Sequence, residues 1–398
     1  MRWIPVVVLC LVQFVDVLGV TSALTALPVI TTALGGTPAA TTVTATAYAC
    51  AFGGLLIAGA RLGDRYGHHR ILQGAVLAFA AASLAGSLAP NLWLVAAARA
   101  GQGAAAAVCV PAALHLLITT SRAGGFTDSA LAAWSACGAA AGASGYLVGG
   151  LLTQAAGWRS VFWINVPIAV ALLVAVRFQV HPAPTTTSPA PSDSTTRAGA
   201  RPRINATGAV LLLVAVSAIV GAASLLEQAS TRRGALLLLG AGVLVAGVFM
   251  EQQQRSTEPL VPAPTLRLPS LRIGSLVSGV NTATTSAVGV LATFLLQQHL
   301  GASALVAGLL LVPFSLAVVA GSASTKTLAR SLSVQRRALA GLAGIGVGCV
   351  VLAVTAGTWW GVVAGVSITG VGLGVASWRQ PPSAPTSRPS WSEPRRGW

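Results

Sequence analysis

The sequence predicts an all-α, polytopic membrane protein with about twelve transmembrane helices. Three observations lead there. Hydrophobic residues make up 54% of the 398-residue chain and charged residues only 8%, against about 25% charged in a soluble domain. The apolar residues run continuously over roughly 20 positions at a time, the length that crosses a hydrocarbon core. Barrel strands would instead alternate over about ten residues. Finally, Lys and Arg gather in the breaks between alternate runs, as membrane insertion leaves them.

Apolar runs and their punctuation place the spans at 4–27, 41–60, 71–89, 92–118, 128–152, 161–180, 205–226, 234–252, 272–297, 304–324, 336–356 and 359–377. The first holds Asp16 and is followed by many others, so it reads as a retained helix and not as a cleaved signal peptide. Between the second and third lies "GARLGDRYGHHR" (Gly59–Arg70), a dense charge cluster that reads as a short loop. The fourth carries Arg99, Pro111 and His115, and the fifth carries Gly138, Gly142, Gly145, Gly149 and Gly150. After six spans the composition changes. Residues His181–Arg203 are rich in Pro, Thr and Ser and read as a flexible linker. The organisation expected is a six-helix bundle over 1–180, a linker over 181–204, and two extra helices over 205–252. A partial second bundle over 253–377 and a polar, disordered tail over 378–398 complete it.

Orientation follows from counting Lys and Arg. With Met1 inside, 20 of the 24 fall in inside regions; Arg159, Arg232 and Arg233 fall outside, and Arg99 lies within a span. Both termini and the Gly59–Arg70 loop are therefore expected in the cytoplasm, and the chain in the cell membrane. The formal net charge of +16 does not point to nucleic acid, because the basic residues lie in short pieces between apolar runs and form no single folded face. Cys10, Cys50, Cys109, Cys137 and Cys349 all sit in apolar runs without a C-x-x-C pair, as small buried hydrophobes do.

Four motifs follow one another in order. "GARLGDRYGHHRIL" resembles the charged second-to-third-helix loop of the major facilitator superfamily, through Gly59, Leu62, Asp64, Arg65, Gly67 and Arg70. "LVAAARAGQGAAAA" resembles that superfamily's fourth-helix motif, through Arg99, Gln102 and Gly103. "GYLVGGLLTQAAGWRSVFWINVPIA" resembles its fifth-helix antiporter motif, through Gly145, Gly149 and Gly150, and then the W-R-x-x-F-x-x-N-x-P of drug:proton antiporters. "LQQHLGASALVAGLLLVP" is similar to the fourteen-helix branch of those exporters. Three departures stand out. Gly19 occupies the place of the family's first-helix Asp, with Asp16 one turn earlier; Tyr146 replaces the antiporter-motif proline; and two further helices implied beyond Ala376 give way to a polar tail. On this resemblance the chain reads as a truncated member.

The resemblance implies a proton-coupled exporter of small, lipophilic or drug-like molecules, working by alternating access between two bundles. Nutrient uptake by the same fold and an inactive remnant stay open as alternatives. Asp16, Arg99 and His115 are the proton-coupling candidates. Arg99 is read either as a bundle-facing charge paired with Asp16 or as a side chain snorkelling to the outer interface. Asp64, Arg65 and Arg70 are read as a latch across the bundle interface, or else as a solvated turn. Gly145, Gly149 and Gly150 permit close helix packing, while Trp134, Trp158, Trp163, Trp359 and Trp360 read as interfacial anchors. Residues Gly321–Gly341 look like a degraded second copy of the charged loop. No phosphate-binding Gly-Lys-Ser/Thr loop and no metal or nucleophile constellation appears, so no enzyme activity is expected. The expected partners are a small-molecule substrate, protons and the lipid bilayer; no cofactor beyond the coupling proton is expected, and the chain is expected to be a monomer.

Overall fold

The computed structural model describes residues 3–180, 205–225, 232–256, 259–260, 279, 283–284, 287–328 and 332–376. The linker, the tail and most of the first half of the ninth predicted span lie outside them. The described residues form helices and no strands. A chain surrounded by lipid must satisfy its backbone internally, and helices do so within each segment.

Helix α1 (Ile4–Ala33) has proline in its first turn, where a missing N–H costs nothing. Pro28 lies inside it, and its carbonyl accepts from the hydroxyls of Thr31 and Thr32 at 2.9 and 3.0 Å. Helix α2 (Pro38–Tyr66) is capped by Thr37, whose hydroxyl accepts from the Ala40 N–H. It stops at Gly67, with φ at 91°, and α3 (His68–Ser87) starts at once. Asn91 caps α4 (Leu92–Gly124) by accepting from the Leu94 N–H at 2.9 Å, and Gly125 ends it in the left-handed region. Then come α5 (Thr127–Ala156), α6 (Arg159–Trp163) and α7 (Asn165–Gln179), the last two forming one span. An extra hairpin follows, α8 (Ala206–Leu225) and α9 (Arg232–Arg255). Residues 287–294 are helical and run into a π turn at Leu295–His299. The second half continues with α10 (Ala304–Leu328), α11 (Val334–Thr355) and α12 (Trp359–Ala376).

Eleven helical spans among the described residues are long and apolar enough to cross a membrane. Several run further than expected, three of them by six residues: α1 continues past residue 27 to Ala33, α2 past residue 60 to Tyr66, and α4 past residue 118 to Gly124. The charged loop predicted between the second and third helices is thus a turn at Gly67. Arg65 in the last turn of α2 faces the negative helix terminus, so charge there extends the helix. The end of the molecule bearing Arg61–Arg70 is called the basic end below, and the opposite end the far end.

One apolar cluster joins α1, α3, α4 and α7 toward the basic end, and a second joins α1, α4 and the α5–α6 corner at the far end. A third holds the second half together around Leu296, Leu311, Phe314 and Leu373. Outward faces are as apolar as these cores: Leu237 is 76% exposed and Val354 79%. Water would not tolerate that surface; acyl chains do. Trp158 departs from its reading as an interfacial anchor. It is buried, edge-on to Phe162, with the Arg159 guanidinium 4.2 Å from its ring. Trp163, Trp359 and Trp360 are exposed.

Candidate functional site

A string of buried polar groups crosses the first bundle. The Tyr48 hydroxyl donates to Asp16 Oδ1 at 2.6 Å. The Arg99 guanidinium lies over the Tyr48 ring, 4.8 Å from its centroid. Arg99 Nη1 donates to Gln102 Oε1 at 3.2 Å, and Gln102 Nε2 to the Ser83 hydroxyl at 2.8 Å. Ser83 closes the string on the Phe79 carbonyl at 2.7 Å. Arg99 also approaches the Gly19 carbonyl at 3.5 Å. Arg99 and Gln102 share one face because they stand three residues apart on α4. Arg99 is 3% exposed, so it points into the bundle and does not snorkel. The direct pairing read for Arg99 and Asp16 is not formed: no ion pair joins them among the described residues, and Tyr48 stands between. A cation held by an aromatic face and neutral acceptors lacks its own counter-charge.

Asp16 also borders a small apolar cavity of about 20 Å³, room for a single water, walled by Val12, Val76, Phe79, Cys109 and Leu172. A carboxyl on such a wall, tied by one hydroxyl, has oxygen lone pairs left for a proton or a ligand donor. Sequence reading missed Tyr48, Ser83 and Asn165. Asn165 was visible only as a letter in the W-R-x-x-F-x-x-N-x-P run. It is buried, its amide N–H₂ donates to the Val161 carbonyl at 3.2 Å, and its Oδ1 has no hydrogen-bond partner among the described residues. A side chain at Gly19 would come within 3.4 Å of the Phe79 ring and 3.8 Å of the Asn165 amide. The position that the resemblance gives to an acid is therefore a notch beside Asn165 and Arg99.

His115 does not join this string. Its ring stacks on His68 with centroids 3.6 Å apart, at the basic end. His68 Nε2 lies 3.3 Å from Asp64 Oδ1. Among the motif residues, Gly59 packs against the α4 backbone at Ala107, Gly63 against His68, and the Arg65 guanidinium lies 5.3 Å from the Tyr66 ring centroid. Leu62 is half-buried and Arg70 exposed. Arg61, left out of the predicted latch, makes the long-range contact. It donates through Nη2 to the carbonyls of Pro259 and Leu260 at 3.1 and 3.3 Å. The Leu260 N–H donates to Gln253, Gln253 to Gln252, and Gln252 to Asn205, the residue that caps α8. A continuous clasp therefore ties α2 to both ends of the extra hairpin. Because charge-assisted hydrogen bonds contribute about 1.5–3 kcal/mol, Arg61→Ala is expected to lower thermal stability by several degrees. It should also widen the separation of spin labels on α2 and α9. An unchanged melting curve and spacing would show the clasp to be incidental.

The fifth-helix motif faces two ways. Gly145 packs on Thr21 and Gly149 on Ser22, both in α1, whereas Gly150 lies against the Ala304 backbone of the second half. Tyr146 points the same way as Gly150, reaching Gly289 and the Phe314 ring (centroids 6.4 Å apart), while Gly308 sits on its backbone. Gln297 Nε2 adds a hydrogen bond to the Thr25 carbonyl at 2.8 Å. These contacts close the two halves on each other toward the far end.

Comparison with known proteins places this geometry. The model of the Major Facilitator Superfamily matches residues 9–387. The cephamycin export protein CmcT of Amycolatopsis lactamdurans is 33% identical over 358 residues, covering 89% of this chain and 69% of that protein. The lincomycin resistance protein of Streptomyces lincolnensis is 31% identical, over 86% of this chain and 68% of its own length. The probable actinorhodin transporter of Streptomyces coelicolor is 29% identical, over 94% and 65%. The chain thus spans about two thirds of the length of these relatives. Among solved structures, tetrameric PepTSo2 superposes with a TM-score of 0.62 at 15% identity, over 94% of this chain and 83% of that one. A bacterial homolog of the lysosomal transporter Spinster gives 0.57 at 16%, over 94% and 74%. At these identities the likeness is one of fold.

Proposed function

The chain belongs to the Major Facilitator Superfamily, and we propose that it exports small, lipophilic or drug-like molecules across the cell membrane in exchange for protons. The names of the relatives, which carry cephamycin export and lincomycin resistance, support export and the substrate class. The observation that carries the proton part is the Asp16–Tyr48–Arg99 string beside an apolar cavity.

In this reading Asp16 alternates between a proton and the substrate. Deprotonated, it accepts from Tyr48 and faces Arg99 across the ring. Protonated, it is neutral and releases its hold on a ligand donor. Arg99 senses the change because it has no carboxylate of its own. The gain or loss of one charge in a medium where charge is expensive biases which end of the molecule opens. The far-end contacts of Tyr146, Gly150 and Gln297 then break as the basic end closes around Asp64, Arg65 and Arg70. The protein works as a monomer and needs no cofactor besides the coupling proton.

The deciding experiment is reconstitution of the purified chain in proteoliposomes with an imposed pH gradient, following ethidium and lincomycin. Movement that follows the gradient and collapses with a protonophore is expected; the absence of gradient-driven movement of both compounds would overturn the proposal. Orientation has its own test. In a background without the native cysteines, Ala155→Cys at the far end is expected to react with an impermeant maleimide in intact cells, and Arg70→Cys only after permeabilisation. The reverse pattern would invert the assignment of both termini to the cytoplasm.

A further inference from the structure

Away from Asp16, a second cleft of about 580 Å³ opens at the far end between the two halves. Its first wall is built by the end of α1 and the start of α2, and its second by residues 290–298. That size suits a drug-sized molecule. The chemistry of the walls is specific. Thr31, Thr32 and Thr41 line the cleft, and each hydroxyl already donates to a backbone carbonyl of its own helix: Pro28 for the first two, Thr37 for the third. A hydroxyl has one hydrogen to donate and two lone pairs. With the hydrogen committed, these threonines offer acceptors only. The Gln298 amide adds another carbonyl acceptor with its N–H₂, and Leu27, Val290 and Phe294 supply apolar surface and one aromatic face. No lining residue is charged.

We propose that this cleft is a binding site for neutral amphiphiles that carry several hydroxyl groups on an aromatic or aliphatic frame. The ligand's O–H groups donate to the threonine acceptors, and its apolar frame lies on Leu27, Val290 and Phe294. A cation gains no counter-charge here and loses its hydration; a methyl ether of the same frame leaves the acceptors unmet. Since the walls belong to different halves, the site changes shape when the halves move, and it lies outside the seal made by Gln297 and Thr25. It would hold a molecule at the far-end mouth of the transport route. The proposal rests on the transport reading for that role, but binding is measured without transport.

The test uses the full chain in phosphatidylcholine nanodiscs, with a bimane label on Ala45→Cys in the cysteine-free background. Resveratrol, a trihydroxystilbene with three free O–H donors, is the probe; its tri-O-methyl ether and ethidium are the comparisons. Resveratrol is expected to shift the emission saturably, and the ether to bind at least tenfold more weakly. A neutral hydrogen bond corresponds to roughly threefold to tenfold in affinity, so Thr32→Val and Thr41→Val should each weaken resveratrol by about that factor. Val290→Trp, which fills the cleft, should abolish the shift. Equal binding of the ether or of ethidium, or no effect of the threonine variants, would overturn the proposal. Repeating the titration in phosphatidylglycerol nanodiscs separates two sources of the same chemistry. Competition by that lipid assigns the site to a glycerol headgroup, and its absence assigns it to a soluble solute. Resveratrol binding with no gradient-driven transport would leave this site standing and remove the export proposal instead.

Discussion

In proteoliposomes under a pH gradient, Asp16→Asn is expected to lose gradient-driven accumulation while still carrying substrate downhill. One proton exchanged per substrate converts each pH unit into about tenfold accumulation; with no titrating group at position 16 that ratio falls to one. The substitution should leave folding almost untouched, because the Asn carbonyl can still accept from the Tyr48 hydroxyl that Asp16 Oδ1 receives at 2.6 Å. Melting temperature is therefore the control. Full accumulation by Asp16→Asn would remove Asp16 from coupling. Tyr48→Phe separates the two roles of the tyrosine: it keeps the ring beneath Arg99 and deletes the donor to Asp16. Its pH profile should change more than its stability.

Gly150→Val is the second large effect. A Cβ there would lie 2.9 Å from the Ala304 carbonyl carbon and 3.0 Å from the Leu305 Cα. Neither is a flexible side-chain tip, so the helices must part. Overpacking of this kind costs about 1–3 kcal/mol, which is roughly fivefold to 150-fold on the balance between closed and open far ends. Spin labels at Thr32 and Gln298, on opposite walls of the far-end cleft, should move apart by several ångströms, and transport should fall by a similar factor. Gly149→Val makes the comparison. Its Cβ would sit 2.6 Å from the Ser22 Cα, within the first half. It should lower stability without shifting the label distance. If Gly150→Val leaves that distance unchanged, the α5–α10 contact is not the far-end closure.

Much of the fold was legible in one dimension. The described spans overlap the predicted ones because length and apolarity decide what crosses a bilayer. Gly145, Gly149 and Gly150, too, mark close approaches, whereas Gly138 and Gly142 meet only side chains at ordinary contact distance. Local rules failed where two tendencies competed. The charge cluster after residue 60 read as a loop, yet arginine is a good helix former and the helix runs on until Gly67 adopts φ 91°. Trp158 read as an anchor by its neighbours, but the turn at Gly157 folds it back onto Phe162.

The site was less legible than the fold. Asp16 and Arg99 stood out because each is a charge in an apolar run, and cost alone singles them out. Tyr48, Asn165 and Arg61 did not, since a tyrosine or asparagine in a helix, or one more arginine beside others, carries no such signal. The sequence by itself determined that this is a helical membrane protein of the superfamily, where its spans fall, and which charges enter the membrane. Only the tertiary structure decided that Tyr48 stands between Asp16 and Arg99, that His115 belongs with His68, and that Arg61 clasps the extra hairpin. The physical reason is the solvent. In water, a helix shows its inner face by being apolar on one side; in lipid both sides are apolar, as α12 and α8 illustrate, so the pattern along the chain does not say which neighbour a side chain will meet.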